Sequence, residues 1–218
     1  MQHGIYFITG IDTNIGKTIA TGLIAKNLLF SGQNVITQKL VQTGNQKFSE
    51  DVLTHRKLMN IPLQPVDLSK TTMPEIYSYP ASPHLAAKID KRPINFEKLN
   101  SATKKLKQEY DIVLIEGAGG IMVPFTEDYL TLDYIKKNQY PIILVTNGKL
   151  GSLNHTLLNL HLFQTENISL YAIAYNHHSS NTNSVIENDT IQYLQRYLSK
   201  YFPNTTWIDI PNYESINI

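Results

Sequence analysis

The sequence predicts an α/β fold: a single doubly wound, mostly parallel sheet with helices on both faces. Three observations predict it. Apolar, strand-like runs alternate with helical stretches along the whole chain. Two of those runs, at 111–116 and 141–145, are continuously apolar rather than alternating, as in strands covered on both faces. The first run leads into a glycine-bounded loop and then a helix, the layout of a phosphate-binding loop.

The elements follow in order. Ile5-Tyr6-Phe7-Ile8 is the first strand, and Ile19, Leu23, Ile24, Leu28 and Leu29 then recur at helical spacing. Ser31-Gly32 stops that helix, and 35–41 is the second strand. A helix is expected over 50–60 and a short strand over 75–79. Ser82-Pro83 marks a helix start, with Ser as N-cap and Pro in the first turn. The lysine-rich stretch 95–109 is a helix with a solvated face. After the buried strands come a helix at 152–165, a strand at 170–175, a loop at 177–183, a long helix at 186–201 and a last strand at 205–210. No repeat or linker interrupts the series, so one domain, 1–218, is expected.

The loop reads Thr9-Gly10-Ile11-Asp12-Thr13-Asn14-Ile15-Gly16-Lys17-Thr18. Glycines let backbone N–H groups curl around a polyphosphate without Cβ clashes. The helix starting near Gly16 points its positive end at the same anion. Lys17 can reach the terminal phosphates and the Thr18 hydroxyl can ligate Mg²⁺. Five residues separate Gly10 from Gly16, one more than in the pattern G-x-x-x-x-G-K-S/T, which points to a subclass of such loops.

Composition narrows the function. A net charge of +1 gives no broad attraction to nucleic acid or to an anionic membrane. The chain has no cysteine, so disulfides, thiolate nucleophiles and Cys-based zinc sites are excluded together. No apolar run is long enough to span a bilayer, and Met1-Gln2-His3 enters the first strand without a signal-peptide pattern, so the cytoplasm is expected.

Other residues carry chemistry less plainly. Glu116-Gly117-Ala118-Gly119-Gly120 follows a buried strand, where open α/β sheets bind ligands. A carboxylate there needs a partner, and Mg²⁺ beside a nucleotide would serve. A tight structural turn is the other reading of the same residues. Lys39 ends the second strand and from that segment alone reads as a surface lysine. Asp51 either complements a helix dipole or supplies a second Mg²⁺ ligand. His55, His155 and His161 read as ordinary helix residues, and His84 is undecided. The histidines show no metal-binding spacing.

Taken together, the motifs resemble those of the dethiobiotin synthetase family, built on a P-loop NTPase-like fold. The matching segments are the 9–18 loop, Lys39-Leu40-Val41-Gln42-Thr43-Gly44, Ser82-Pro83-His84, Arg92-Pro93-Ile94 and Glu116-Gly117-Ala118-Gly119-Gly120. Lys149-Leu150-Gly151-Ser152-Leu153-Asn154-His155 and Asn176 follow in family order. The longer loop spacing is the family's own.

The resemblance implies a reaction. An amine of 7,8-diaminopelargonic acid takes up CO₂ (or bicarbonate-derived CO₂) as a carbamate. The carbamate attacks the γ-phosphate of ATP, and the second amine closes the ring of dethiobiotin on the resulting mixed carbamic–phosphoric anhydride. The resemblance also implies roles. Lys17 and Lys39 are catalytic. ATP is held by Asp12, Thr13, Asn14, Ile15, Gly16, Lys17 and Thr18, with Glu116, Gly119 and the base-reading Asn176. Thr18, Asp51 and Glu116 hold Mg²⁺. Substrate meets Thr13, Lys39, Thr43 and Gly119, together with Leu150, Ser152, Leu153 and Asn154 reaching across from the second subunit of a homodimer. Neither nucleic acid nor membrane is a partner.

Three departures from the family stand out. Asn14 replaces a frequent Glu, Leu40 replaces a common Pro, and little chain follows Ile210-Pro211, where members often enclose the purine. Relaxed nucleotide choice is the expected consequence. Two other classes share the loop: a nucleotide-switch ATPase of the partitioning or septum-positioning type, and a small-molecule kinase without carboxylation. The first usually carries a second lysine near the loop's start, where this chain has Gly10-Ile11-Asp12. Bicarbonate dependence separates the second.

Overall fold

The computed structural model describes residues 1–177 and 184–212, so most of the loop expected at 177–183 and the tail at 213–218 lie outside the described residues. The elements run β1 (Gly4–Gly10), α1 (Lys17–Phe30), β2 (Val35–Lys39), β3 (Val41–Thr43), α2 (Glu50–Met59), α3 (Pro65–Leu68), β4 (Glu75–Tyr77), α4 (Pro83–Ile89) and α5 (Phe96–Glu109). They continue with β5 (Ile112–Gly120), β6 (Pro124–Thr126), β7 (Tyr129–Leu130), α6 (Thr131–Asn138), β8 (Ile142–Asn147), α7 (Ser152–Thr165), β9 (Leu170–Asn176), α8 (Ser184–Tyr201) and β10 (Thr206–Ile210).

Six strands form one sheet in the order β10-β9-β8-β1-β5-β2, and every pairing in it is parallel. The chain leaves β1 toward one edge and β8 toward the other, so the order reverses between these two neighbours. Parallel α/β sheets place their ligand crevice at the carboxyl ends of strands around such a reversal.

Alternation along the central strands sends side chains to two cores. Tyr6 and Ile8 of β1, with Ile112 and Leu114 of β5, pack under α1 and α2 through Leu23, Ile24, Leu28, Leu58 and Met59. Phe7, Val113 and Ile115 point the other way, toward Leu99 and Leu106 of α5, Ile135 of α6 and Phe163 of α7. Burying one such side chain contributes roughly 1.5–3 kcal/mol, and both faces of the strands gain it. This is the doubly wound arrangement predicted from the continuous apolar runs.

The structure corrects three readings. The expected strand 35–41 breaks at Leu40: β2 joins the main sheet, whereas β3 pairs in parallel with β4 in a separate two-stranded sheet. The strand ending at Glu116 continues as β5 to Gly120, with an irregular register against β1 between Ile8 and Gly10. Gly119 sits there at φ 76°, a left-handed backbone that glycine adopts without strain. Third, α3, α6 and the β6–β7 hairpin were not foreseen. All are short, and α6, although it buries Leu132, Tyr134 and Ile135 on one face, spans only two turns.

Candidate active site

The phosphate-loop sequence links the end of β1 to the start of α1. Gly16 caps α1 at φ 94°, and a Cβ there would lie 2.2 Å from Asn176 Nδ2, so only glycine fits. Asn14 is also left-handed, at φ 57°, a conformation that Asn tolerates better than Glu does. The first turn of α1 holds no acidic residue, which leaves its amide dipoles uncompensated. Lys17 folds back over the loop, its Nζ donating to the Asp12 carbonyl at 2.9 Å.

Three elements bring charged groups to this loop. Cα register pairs Lys39 at the end of β2 with Glu116 in β5. Helix α2 supplies Asp51 in its first turn, started by Ser49, whose hydroxyl accepts from Val52 N at 3.1 Å. The Ser49 hydroxyl in turn donates to Gln42 Oε1 at 2.5 Å, tying α2 to β3. Lys39 Nζ then stands 2.7 Å from both Asp51 Oδ2 and Glu116 Oε1. Thr18 Oγ1 lies 3.1 Å from Asp51 Oδ1 and 3.1 Å from Glu116 Oε1.

Electrostatics follows from that packing. Burial raises the Glu116 carboxyl, but Lys39 and His55 outweigh it and hold the group below the usual carboxylate range. Burial likewise opposes the Lys39 charge, yet Glu116 and Asp51 keep the ammonium above the usual lysine range. Among the described residues Lys17 has no such partner at contact distance. Burial and then Lys39 push it down to about 8, against smaller opposing effects of Glu116, Asp51 and Asp12.

A cleft of about 700 Å³ opens over these groups. Of the residues singled out in the sequence, it gathers Thr13, Asn14, Gly16, Lys17, Thr18, Lys39, Thr43, Asp51, Glu116 and Gly119. Gln42 and Ser82, which the sequence placed in matching segments without a site role, also line it. Asp12 lies in the loop beneath Lys17, with its carboxylate accepting from Thr13 N at 2.7 Å. Ile15 turns its side chain into the core. Asn176, buried at the end of β9, donates from Nδ2 to the Ile15 carbonyl at 3.0 Å, so it braces the loop.

The α7 start stands apart from this cleft. Leu150 is 82% exposed, Asn154 is exposed, and Leu153 is half-buried. Ser152 is buried and donates to Asn147 Oδ1 at 2.6 Å. Lys39, read in isolation as a surface residue, is buried because Glu116 and Asp51 offset its charge. His55, read as an ordinary helix residue, is fully buried with Nε2 2.8 Å from Glu116 Oε2. Its spacing from Asp51, four residues along α2, put both on one helix face and was the signal available.

Oxygen atoms from Thr18, Asp51 and Glu116 converge, a hard donor set suited to Mg²⁺. Among the described residues no three His, Asp or Glu side chains form a metal cluster. Mg²⁺ sites of nucleotide enzymes commonly use one or two carboxylates, with phosphates and water completing the shell. No helix among the described residues is long and apolar enough to cross a membrane.

Comparison with known proteins bears on this site. A protein-family profile described as an AAA domain matches residues 5–214. The chain is 52% identical over 201 residues to the ATP-dependent dethiobiotin synthetase BioD 2 of Pasteurella multocida, across 92% of this chain and 94% of that protein. It is 48% identical to the protein of the same name from Haemophilus ducreyi, across 94% of this chain and 96% of that one. Among solved structures, a plasmid partition protein from Borrelia burgdorferi bound to AMPPNP superposes with a TM-score of 0.58 at 12% identity, covering all of this chain and 90% of that one. At that identity the likeness is one of fold.

Proposed function

The chain belongs to the dethiobiotin synthetase family and is an ATP-dependent enzyme of biotin synthesis; from that premise we propose the substrates, the chemistry and the residues that carry it. The amine of 7,8-diaminopelargonic acid is carboxylated by CO₂, the carbamate is phosphorylated by ATP, and the second amine closes the ring with release of phosphate. The observation that most supports this reading is the meeting of Lys17, Lys39, Thr18, Asp51 and Glu116 in one cleft. Phosphoryl transfer asks mainly for positioning and charge neutralisation, which these residues are built to give.

Each residue has a proposed part. Loop amides from Thr13 to Thr18 and the start of α1 bind the polyphosphate. Lys17 turns from the Asp12 carbonyl to the transferring phosphoryl oxygens. Lys39, held by Glu116 and Asp51, offers its ammonium to the carbamate and phosphate. Thr13, Thr43 and the Gly119 backbone position the carbamate. Thr18, Asp51 and Glu116 hold Mg²⁺, which supplies charge stabilisation of the phosphates when bound. Asn176 keeps the loop in shape and meets the base. No side chain acts as a nucleophile. A cytoplasmic location and a single domain over 1–218 complete the reading.

ADP release with diaminopelargonate tests this directly. Turnover is expected to require bicarbonate. Equal rates in bicarbonate-free buffer would make the protein a simple kinase.

A homodimer is proposed as well, with Leu150, Ser152, Leu153 and Asn154 of one copy completing the other's substrate site. An apolar groove between the loop and α7, lined by Ile11, Met122, Leu158 and Leu162, supports a second copy covering this side. Asn154→Ala is expected to raise the KM for diaminopelargonate and leave that for ATP unchanged. Mixed with Lys17→Ala, it should recover about a quarter of wild-type activity, because half of randomly paired dimers carry one intact site. No recovery above the separate variants would place the whole site within one chain.

A further inference from the structure

Glu116 meets different partners with its two oxygens. Oε1 faces the cleft, 2.7 Å from Lys39 Nζ and 3.1 Å from Thr18 Oγ1. Oε2 faces α2 and meets His55 Nε2 at 2.8 Å. Glu116 is 1% exposed and His55 is fully buried, so water does not substitute for either contact. An ionised carboxylate only accepts hydrogen bonds, so the proton belongs on Nε2. His55 Nδ1 has no partner among the described residues. A proton there would be a buried donor without an acceptor, which is costly, whereas a bare Nδ1 forfeits only one acceptor bond. The surroundings thus favour a single tautomer, Nε2–H.

We propose that His55 is a positioning residue for the phosphoryl-transfer site: its Nε2–H pins Oε2 of Glu116 so that Oε1 alone is presented to Thr18, Lys39 and the divalent cation. The proposal rests on the reading of Glu116 as a metal-holding residue. The geometry also joins His55 to the other proposed cation ligand. Asp51 lies one turn earlier on α2, so the same rigid helix that carries one carboxylate also orients the second. Without His55, Oε2 becomes a buried acceptor with no donor, and the carboxylate plane is free to turn Oε1 away from Thr18 and Lys39. A donor held behind a metal-binding carboxylate restricts that motion, and loss of such outer partners typically costs 10–100-fold in metal affinity.

Two variants and one spectrum test this. Mn²⁺ binding in the presence of ADP is measured by the free-Mn²⁺ EPR signal. His55→Phe should weaken it by at least about tenfold, while His55→Gln, which keeps a donor of similar reach, should stay within about threefold of wild type. KM for diaminopelargonate should stay unchanged in both. Unaltered Mn²⁺ affinity in folded His55→Phe overturns the proposal, as does equal loss in both variants. In the wild-type protein, ¹⁵N-histidine NMR should give Nε2 protonated and Nδ1 bare, and the Nδ1–H tautomer overturns the proposal whether or not His55→Phe folds. Failure of the wild-type protein itself to bind Mn²⁺ with ADP would instead sink the reading of Glu116 as a metal-holding residue.

Discussion

Replacing Lys17 with Ala is expected to lower kcat/KM for ATP by at least ~10²-fold, or about 2.7 kcal/mol of transition-state stabilisation. The lysine is buried and, among the described residues, its ammonium donates to a loop carbonyl and forms no ion pair, so it holds little of the fold together. Its charge is in fact a cost to the native state, because burial and Lys39 depress it from 10.5 to about 8. Between those two values the unfolded chain binds a proton that the folded chain does not, so this group's effect on stability becomes more favourable as pH rises. Activity should move the opposite way. Above about 8 the free enzyme loses the ammonium, and kcat/KM for ATP should fall about tenfold per pH unit. The variant should therefore melt no lower than wild type at pH 7, and its residual activity should lack this alkaline limb. EDTA should abolish wild-type turnover and Mg²⁺ restore it. Near-normal kcat/KM in Lys17→Ala would remove the lysine from the chemistry.

What could be read in the sequence was what local pattern encodes. The loop was legible because glycine spacing, a preceding apolar strand and a following helix must occur together to make it. The sheet was legible because 112–115 and 141–145 are apolar without a break, as in strands covered on both faces. The role of Leu40 was not legible. Nothing local says that β2 ends at Lys39 and that Val41–Thr43 pairs with β4, because the partner strand lies more than thirty residues away. The same limit applies to the site. Lys39, Asp51 and Glu116 each read ambiguously in isolation, and the parallel register of β2 on β5 is what turns them into one charge network. His55 stood four residues from Asp51 in plain view, yet its burial against Glu116 depends on how α2 docks, which no periodicity states. The expectation of relaxed nucleotide choice rested on Asn176 as nearly the sole base contact and on the short tail after Pro211, of which 213–218 lie outside the described residues.

Docking of α2 depends on a second buried charge pair, and breaking it should have the largest effect on stability. Arg56 and Asp67 are both buried and bidentate, with Nε to Oδ2 and Nη2 to Oδ1 each at 2.8 Å. Arg56 also donates from Nη1 to Thr37 Oγ1 at 2.7 Å, which clamps α2 onto β2. Asp67 accepts from Thr72 Oγ1 at 2.6 Å and Gln64 N at 2.7 Å. Removing Arg56 leaves Asp67 buried and unpaired, and Arg56→Ala is expected to cost about 3–5 kcal/mol at pH 7. For a chain of this size that is a fall in Tm of roughly 6–20 °C. The sign with pH is fixed by Asp67. Burial raises its carboxyl, but the Arg56 hydrogen bond and charge outweigh it and hold the group below 3.8. The stability it confers is present above the unfolded value and lost as pH falls through the folded one. In Arg56→Ala only the hydrogen bonds from Thr72 and Gln64 still oppose burial, so the variant takes up a proton at higher pH than wild type does. The stability gap between the two should therefore narrow as pH drops from 7 toward 4. Asp67→Asn added to Arg56→Ala should recover part of the loss at pH 7, since it removes the stranded charge and keeps the amide-sized volume. A gap below ~1 kcal/mol, or one that is constant with pH, would mean that the pair is not what holds α2. Because Asp51 and His55 ride on the same helix, the surviving fraction of Arg56→Ala protein should also bind Mn²⁺ and ADP less tightly, and the Asp67→Asn addition should repair binding and stability together.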